Sequence, residues 1–303
     1  MSDAVGTMVR APVGATASGE EPARRRHRHR TLLRISRNPL GIVGAIMILI
    51  AVLVAIAAPL IAPYDPASQA ARRLLPPSLN HLMGTDELGR DTASRIIFGT
   101  RVSLQVGILA VGIGLILGSA IGILAGFYRG RTDDWLMRIV DIMFAFPGLI
   151  LAIVISGLLG PSRTNAMLAI GIVFAPAFAR VIRGSVLTTM QEGYMESARV
   201  TGLSDLRMVA YYVLPNISAA IIVMTSVYLS AAILTEAGLS YLGLGTQPPE
   251  PSWGGMLASA RNYMELSPWM ALFPGAAIML VVLGFNFLGD GLRDVLDPRL
   301  RNL

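Results

Sequence analysis

The hydrophobic residues of this chain are gathered into long runs with polar segments between them. A helix that crosses a bilayer core of about 30 Å needs roughly 20 apolar residues. Six runs come close to that length, and we expect each to form one transmembrane helix. The runs are Leu40 to Ile61, Val102 to Phe127, Ile139 to Leu159, Ala166 to Ile182, Ile217 to Ala237 and Trp269 to Leu288. The pattern thus predicts an all-α membrane protein with six transmembrane helices.

The composition agrees with a membrane protein and excludes several kinds of chemistry. Of the 303 residues, 53% are hydrophobic and 15% are charged, and the mean hydropathy is +0.60. All 25 basic residues are arginine, so no lysine can reach the phosphates of ATP as a P-loop requires, and another chain must hydrolyse any ATP used. Cysteine is absent, and His27, His29 and His81 are too scattered for a metal site. We therefore expect no catalytic residue, metal or cofactor on this chain.

The distribution of arginine predicts how the helices are oriented. With the N-terminus in the cytoplasm, the six-helix arrangement places 18 arginines on the cytoplasmic side and 7 outside. This agrees with the positive-inside rule. We therefore expect a multi-pass protein of the cytoplasmic (inner) membrane with both termini in the cytoplasm.

Residues 1–38 are predicted to form a disordered, basic cytoplasmic tail. They lack hydrophobic periodicity, and seven arginines fall between Arg24 and Arg37. Beside a membrane helix such a cluster sets orientation and binds anionic lipid, at about 1 kcal/mol per residue, so we expect lipid and not nucleic acid as its partner. Ala55 and Ala57 would suit a signal-peptide cleavage site, but the leader and the apolar run are both too long for a signal peptide.

The segment 62–101 is expected outside the membrane. In it, Asp91 is placed to cap a short amphipathic helix whose Ile96, Ile97 and Phe98 rest on the membrane surface. The segment is then either a capped interfacial helix or a docking surface for an extracytoplasmic partner. Its charges alone do not separate the two readings.

Small residues line one face of the second predicted helix. Four glycines recur there at every fourth position: Gly114, Gly118, Gly122 and Gly126. In lipid, where helices gain little from hydrophobic association, such a row lets two backbones pack closely. We expect tight packing at this face, against a helix of this transport core or of another chain.

Proline and acidic residues mark three of the other predicted helices. Pro147 and Pro176 lie inside the third and fourth helices, where each removes a backbone hydrogen bond and predicts a kink. Asp141 and Glu236 lie near helix ends, where burial of a charge costs less than at the centre. We interpret both acids as interfacial or paired structural residues, because no second acid at mid-membrane completes a proton relay.

One polar stretch, MESARVTGLSDLRMVAYYVLPN, separates the fourth and fifth predicted helices on the cytoplasmic side. Gly202 suits the left-handed end of a first short helix that carries Glu196. Ser204 can cap a second helix from Asp205 to Val213. The two helices would meet at a glycine elbow and form a rigid knob, suited to a cleft in another protein.

This stretch resembles the signature loop of ABC importer permeases, which reads Glu-x-Ala, three residues, Gly, then nine residues to a hydrophobic-x-Leu-Pro ending. The matching residues are Glu196, Ser197, Ala198, Gly202, Leu214 and Pro215. Ser197 stands where the family usually has alanine, and Tyr212 where many members have an aliphatic residue. Neither change is expected to disturb the elbow.

Four further stretches extend the resemblance over nearly all of the chain beyond residue 37. NPLGIVGAIMILI with APLIAPYDP, and GTDELGRDTASRIIFGTRVSL, are similar to the N-terminal region of the C-type permease of dipeptide and oligopeptide importers. TEAGLSYLGLGTQPPEPSWGGML and GDGLRDVLDPRLRNL are similar to the same subfamily. The resemblance implies a type I ABC importer permease fold, with a first helix and outer loop in 39–101, and a core in 102–303. That core would hold five helices and a cytoplasmic coupling loop, residues 192–216.

The resemblance also implies partners. A homologous B-type permease would complete the pathway for peptides, two cytoplasmic ABC ATPase subunits would hold ATP and Mg, and an extracytoplasmic binding protein would deliver substrate. The coupling loop would sit in a cleft of one ATPase, with contacts from the motif and from its polar neighbours. Those neighbours are Arg199, Ser204, Asp205 and Arg207.

Two alternatives stay open at this level. The subfamily also includes permeases for nickel and other small solutes, so the same machine could carry one of those. A stand-alone secondary transporter or channel would predict paired intramembrane charges, discontinuous helices and an inverted repeat, none of which is clear in the sequence. The outer segment GTQPPEPSWGG either contacts a binding protein or only turns the chain.

Overall fold

A computed structural model describes residues 39–296, and the predicted tail 1–38 and the last seven residues lie outside them. The described residues are helical throughout, apart from loops and one isolated β-bridge between Thr85 and Asp91, which confirms the predicted all-α fold. The α-helices are α1 Pro39–Ile61, α2 Thr92–Tyr128, α3 Gly130–Phe144, α4 Gly148–Leu159, α5 Arg163–Thr189, α6 Gly193–Val200, α7 Asp205–Met208, α8 Leu214–Tyr241, α9 Trp253–Ala260 and α10 Trp269–Leu296. A π-helical turn, Val209–Val213, joins α7 to α8.

Five of these helices are long and apolar enough to cross a membrane: α1, α2, α5, α10, and α7 with α8 as one continuous helix. The third predicted span is different. It consists of α3 and α4, which meet at an angle of 91°, so the kink predicted at Pro147 is a sharp break, and the pair makes a sixth span if both helices belong to one crossing. Pro147 is the first residue before α4 and supplies no N–H donor, which ends the helical hydrogen-bond ladder at this point. Pro176, in contrast, lies within α5 and is buried.

Asp91 caps α2, as predicted, but the helix that follows is not short. The Asp91 carboxylate accepts hydrogen bonds from the Ser94 N–H at 2.8 Å and the Ser94 hydroxyl at 2.7 Å. From there α2 continues without a break for 37 residues, about 55 Å. The predicted interfacial helix is its first part, in which Ile96 is buried while Ile97 and Phe98 are half-buried.

The glycine row of α2 packs against α5 of the same chain. A Cβ atom built on Gly118 would lie 2.4 Å from the Phe178 Cβ and 2.5 Å from the Ala175 carbonyl oxygen. At Gly122 the nearest atom would be the Ala179 carbonyl oxygen, at 2.5 Å. No side chain fits at such distances, so the two backbones are in direct contact, and α2 and α5 form the centre of the helix bundle.

The first helix is attached to the bundle through α10. A Cβ on Gly44 would lie 2.5 Å from the Leu288 backbone nitrogen and 2.7 Å from the Gly284 carbonyl oxygen. The opposite face of α1 exposes large apolar side chains, as expected of a surface that lipid covers. They include Leu49, Leu53, Ile56 and Leu60.

The end of the bundle opposite the coupling loop is closed by α9 and by residues 62–91. Trp253 is almost completely buried, and its indole N–H donates to the Ile96 carbonyl oxygen at 3.2 Å. Within residues 62–91, the Asp86 carboxylate accepts from the Arg90 Nε at 2.6 Å and so stabilises the local turn. In GTQPPEPSWGG, residues 247–250 are exposed and residues 251–254 are buried. The segment therefore turns the chain and leaves its first half accessible at the surface.

Candidate functional site

The coupling loop contains the glycine elbow that the sequence predicted. Helix α6 ends at Val200, and Gly202 has a left-handed backbone with φ +76°. The Leu203 N–H donates to the Ala198 carbonyl at 3.3 Å and the Gly202 N–H to the Arg199 carbonyl at 3.0 Å. This paired arrangement is the Schellman motif, in which glycine is favoured because a side chain is strained at positive φ.

The second helix of the loop differs from its prediction in two respects. Ser204 occupies the cap position with an extended backbone, and its carbonyl accepts from the Met208 N–H at 3.0 Å, but its side chain makes no capping hydrogen bond. The helix predicted from Asp205 to Val213 also does not end at Val213, since it begins as α7 and continues. It passes through the π-helical turn into α8, with Pro215 in the first turn of α8. The loop is thus joined to the fifth span by uninterrupted helix.

One face of the coupling loop is embedded in the bundle. Met195, Ala198, Met208 and Val213 are buried in the same apolar cluster as side chains of α2, α5 and α8. At the end of α2 the Tyr128 hydroxyl donates to the Asp205 carboxylate at 3.2 Å. These contacts fix the loop to three of the long helices.

The opposite face of the loop is exposed and carries both charge and apolar surface. Val200 is 84% exposed and Leu206 is 82% exposed. Glu196, Arg199 and Arg207 are also exposed, and within residues 39–296 no hydrogen bond or ion pair engages their side chains. Ser197, Leu214 and Pro215 lie on the surface as well. Exposed apolar side chains beside unpaired charges are typical of a protein interaction surface.

The broken third span is held to α5 by two ion pairs. Asp133 accepts from Arg183, and Asp141 accepts from the Arg180 guanidinium at 2.7 Å. The Arg180 guanidinium also lies over the Phe144 ring, 4.1 Å from its centre. Asp141 is therefore paired, as its interpretation as a structural residue required.

Glu236 is buried within α8 and bonded to hydroxyl groups. The Ser240 hydroxyl donates to one carboxylate oxygen at 2.7 Å, and the Ser103 hydroxyl lies 3.4 Å from the other. Ser103 belongs to α2, so the acid links the fifth span to the second. In the described residues no group of three His, Asp or Glu side chains is arranged to hold a metal ion.

A cleft of about 760 Å³ opens between α5, α8 and α10, at the end of the bundle that carries the coupling loop. Its walls are mainly apolar, and its polar side chains are those of Arg180, Asn216, Tyr228 and Arg293. Sequence reasoning did not find this cleft, because it forms where three distant helices converge. One signal was present: Arg180 is the charged residue within the fourth predicted apolar run, two residues before its end at Ile182.

Comparisons with known proteins agree with the architecture. Residues 118–302 match the family model described as binding-protein-dependent transport system inner membrane component. Residues 28–77 match the N-terminal transmembrane domain of oligopeptide transport permease C.

Curated relatives cover most of the chain. It is 46% identical to the dipeptide transport system permease protein DppC of Alkalihalophilus pseudofirmus, over 89% of each chain. It is 47% identical to the di/tripeptide transport system permease protein DppC of Pseudomonas aeruginosa, over 86% of this chain and 88% of that one. It is 43% identical to the glutathione transport system permease protein GsiD of Pectobacterium atrosepticum, over 89% and 90%.

The fold is also similar to that of a solved structure, an inward-facing conformation of the MetNI methionine ABC transporter. The TM-score is 0.56 at 18% sequence identity, over 66% of this chain and 95% of that chain. At this identity the likeness concerns the fold alone.

Proposed function

This chain belongs to the family of binding-protein-dependent transport system inner membrane components, and from that premise we propose that it is the permease subunit of an ATP-driven peptide importer. It forms half of the pathway for dipeptides and oligopeptides across the cytoplasmic membrane. The observation that carries this proposal is the coupling loop, which is anchored in three long helices on one face and exposed on the other. The peptide substrate is supported by the relatives that transport dipeptides, tripeptides and glutathione.

The proposed partners are those that membership of the family implies. ATP and Mg bind to two cytoplasmic ATPase subunits, and the absence of lysine, and so of a P-loop, from this chain agrees with that assignment. A homologous B-type permease forms the other half of the pathway, and an extracytoplasmic binding protein delivers the peptide. The arginine distribution supports cytoplasmic termini and a cytoplasmic coupling loop.

The mechanism couples ATP binding to movement of the spans. The exposed face of the coupling loop docks in a cleft of one ATPase, and Val200 and Leu206 supply apolar contacts at its surface. When the ATPases close on ATP, the displaced loop pulls α8 through the π-helical turn and α2 through the Tyr128 to Asp205 contact. The two permeases then rock between inward-open and outward-open states. ATP and the loaded binding protein shift this equilibrium only because each favours one state.

One observation fits the secondary-transporter alternative, which predicts discontinuous helices. The 91° break between α3 and α4 is such a discontinuity. However, the ion pairs of α3 tie it to α5, and membership of the family accounts for the exposed coupling loop, which a stand-alone transporter does not need. We therefore retain the importer as the proposed function.

Deletion and restoration of the gene test this proposal. We expect a strain without the gene to lose uptake of a labelled tripeptide, and the restored gene to recover it, while uptake of labelled nickel is the same in all strains. The matched control restores a gene whose protein carries Gly112→Ala, a change in α2 at which the added Cβ would meet no atom within 4 Å. If the strain without the gene keeps tripeptide uptake but loses nickel uptake, the chain is still a permease subunit of an importer, but the proposed peptide substrate is contradicted.

A further inference from the structure

The cleft between α5, α8 and α10 is mainly apolar but is lined by two arginines, Arg180 and Arg293. We infer that it receives the carboxylate end of the transported peptide, with Arg293 as the principal donor and Arg180 beside it. This inference rests on the proposed function and adds a substrate contact to it. Both charged side chains among the lining residues are arginines.

Arginine is the side chain best suited to a carboxylate. Its planar guanidinium can donate two parallel hydrogen bonds to the two oxygens, and it keeps its charge at every physiological pH. Arg180 is paired with Asp141, but within the described residues Arg293 has no such partner and no acid lines the cleft, so the cleft attracts an anionic group.

The two arginines are not equivalent. Arg180 is engaged, because it donates to Asp141 and lies over the Phe144 ring. Arg293, near the end of α10, is exposed, and within residues 39–296 no hydrogen bond or ion pair engages its side chain. Arg293 is thus the donor that a ligand can take without breaking an existing contact.

Arg180 lies two residues before Ile182, the end of the fourth predicted span, in the half of α5 nearer the coupling loop. A charge near the end of a span reaches water at little cost, so this position fits a cleft that is open to water at this end of the bundle. The side chain is 53% exposed in this chain alone, as expected of a wall that the second permease faces.

The remaining walls suit a peptide of variable sequence. Val223, Met224 and Val227 form an apolar surface beside the arginines, and methionine adapts its shape to different side chains. Tyr228 adds a hydroxyl within the same wall. The charge contact would hold the carboxylate terminus of the peptide, and the adaptable apolar wall would tolerate different side chains. The contact must also be weak enough for the peptide to be released.

A binding titration on the assembled complex tests this inference. The nucleotide-free complex, without binding protein, is titrated with a tripeptide and with its C-terminal amide by ligand-observed NMR, which detects weak binding. We expect the amide to bind wild type about tenfold more weakly than the acid, and Arg293→Gln to weaken acid binding about tenfold. Arg293→Gln should leave amide binding unchanged, because the carboxylate that it would contact is already absent.

Two further variants separate a contact from general charge or folding. Arg293→Lys keeps the charge but not the fork, and should weaken acid binding by about threefold at most. Arg131→Gln removes an exposed arginine at the start of α3, outside the cleft, and should bind both peptides as wild type does.

The inference is overturned if wild type binds neither peptide, if acid and amide bind equally, or if Arg293→Gln weakens both by the same factor. Such a result in a complex whose restored gene still supports tripeptide uptake removes the cleft assignment alone. Failure of the restored gene to support tripeptide uptake removes the proposed function, and the inference with it.

Discussion

A chain in which Gly202 is replaced by valine is expected to reach the membrane at the wild-type level but to import tripeptide about ten times more slowly, while its partner ATPases continue to hydrolyse ATP. The reason is the backbone at φ +76°. A left-handed conformation costs an L-residue about 1–2 kcal/mol, and more for a β-branched side chain, and 1.4 kcal/mol is a factor of ten in the population of the elbow.

Steric crowding does not account for this effect, because a Cβ on Gly202 would meet no atom within 4 Å. The elbow instead opens to relieve the strain, and α7 loses its position relative to α6. ATP hydrolysis then no longer moves the spans.

Two variants serve as controls for Gly202→Val. Gly202→Asn should retain most of the uptake, because asparagine tolerates the left-handed conformation. Gly193→Val makes the same change in the same loop at a residue without positive φ, so it adds bulk but no backbone strain and should retain more uptake than Gly202→Val. The measurements are initial uptake rate, ATP hydrolysis and membrane abundance. Normal uptake by Gly202→Val at normal abundance would rule out the role of the elbow.

Gly118→Ala is expected to lower the midpoint of thermal unfolding of the solubilised complex by about 2–5 °C. The added methyl group would meet the Phe178 Cβ at 2.4 Å and backbone atoms of Ala175 and Ala179 at 2.5 and 2.9 Å. Backbone cannot move aside as a flexible side chain can, so α2 and α5 must separate. Overpacking of this kind costs about 1–3 kcal/mol, and each kcal/mol lowers the midpoint by roughly 1.6 °C in a protein of this size.

The matched control is Gly112→Ala on the same helix. A Cβ there would meet nothing within 4 Å, and alanine favours a helix over glycine by about 1 kcal/mol. The variant should therefore be as stable as wild type or slightly more so. An equal loss of stability in both variants would contradict this account, because the loss could then not arise from the contact between α2 and α5.

Features set by local chemistry could be predicted from the sequence. Hydrophobic run length predicted the helices that can span a membrane, because the thickness of the bilayer fixes the length required. The Gly202 elbow and the Asp91 cap were also predictable, since each depends on hydrogen bonds within a few residues.

Features set by distant contacts could not be predicted. Whether Pro147 kinks or breaks its helix depends on the pairs from Asp133 and Asp141 to α5, which lie 50 and 39 residues away along the chain. The start of α2 was misjudged for the same reason, because the Ile96 carbonyl there accepts from the indole of Trp253, which lies 157 residues away along the chain. The cleft requires α5, α8 and α10 together, and Arg293 carries no sign of it in the sequence.

The central claim is that the coupling loop docks on an ATPase subunit, and site-directed cross-linking tests it most directly. The chain contains no cysteine, so Leu206→Cys introduces a unique thiol on the exposed face of the loop. It is labelled with a thiol-reactive photo-cross-linker in the assembled complex. Leu79→Cys, on the outer segment and 97% exposed, is the matched control. We predict a cross-link to an ATPase subunit from position 206 that changes in yield with ATP, and none from position 79. No ATPase cross-link from position 206, or an equal one from position 79, would contradict the account.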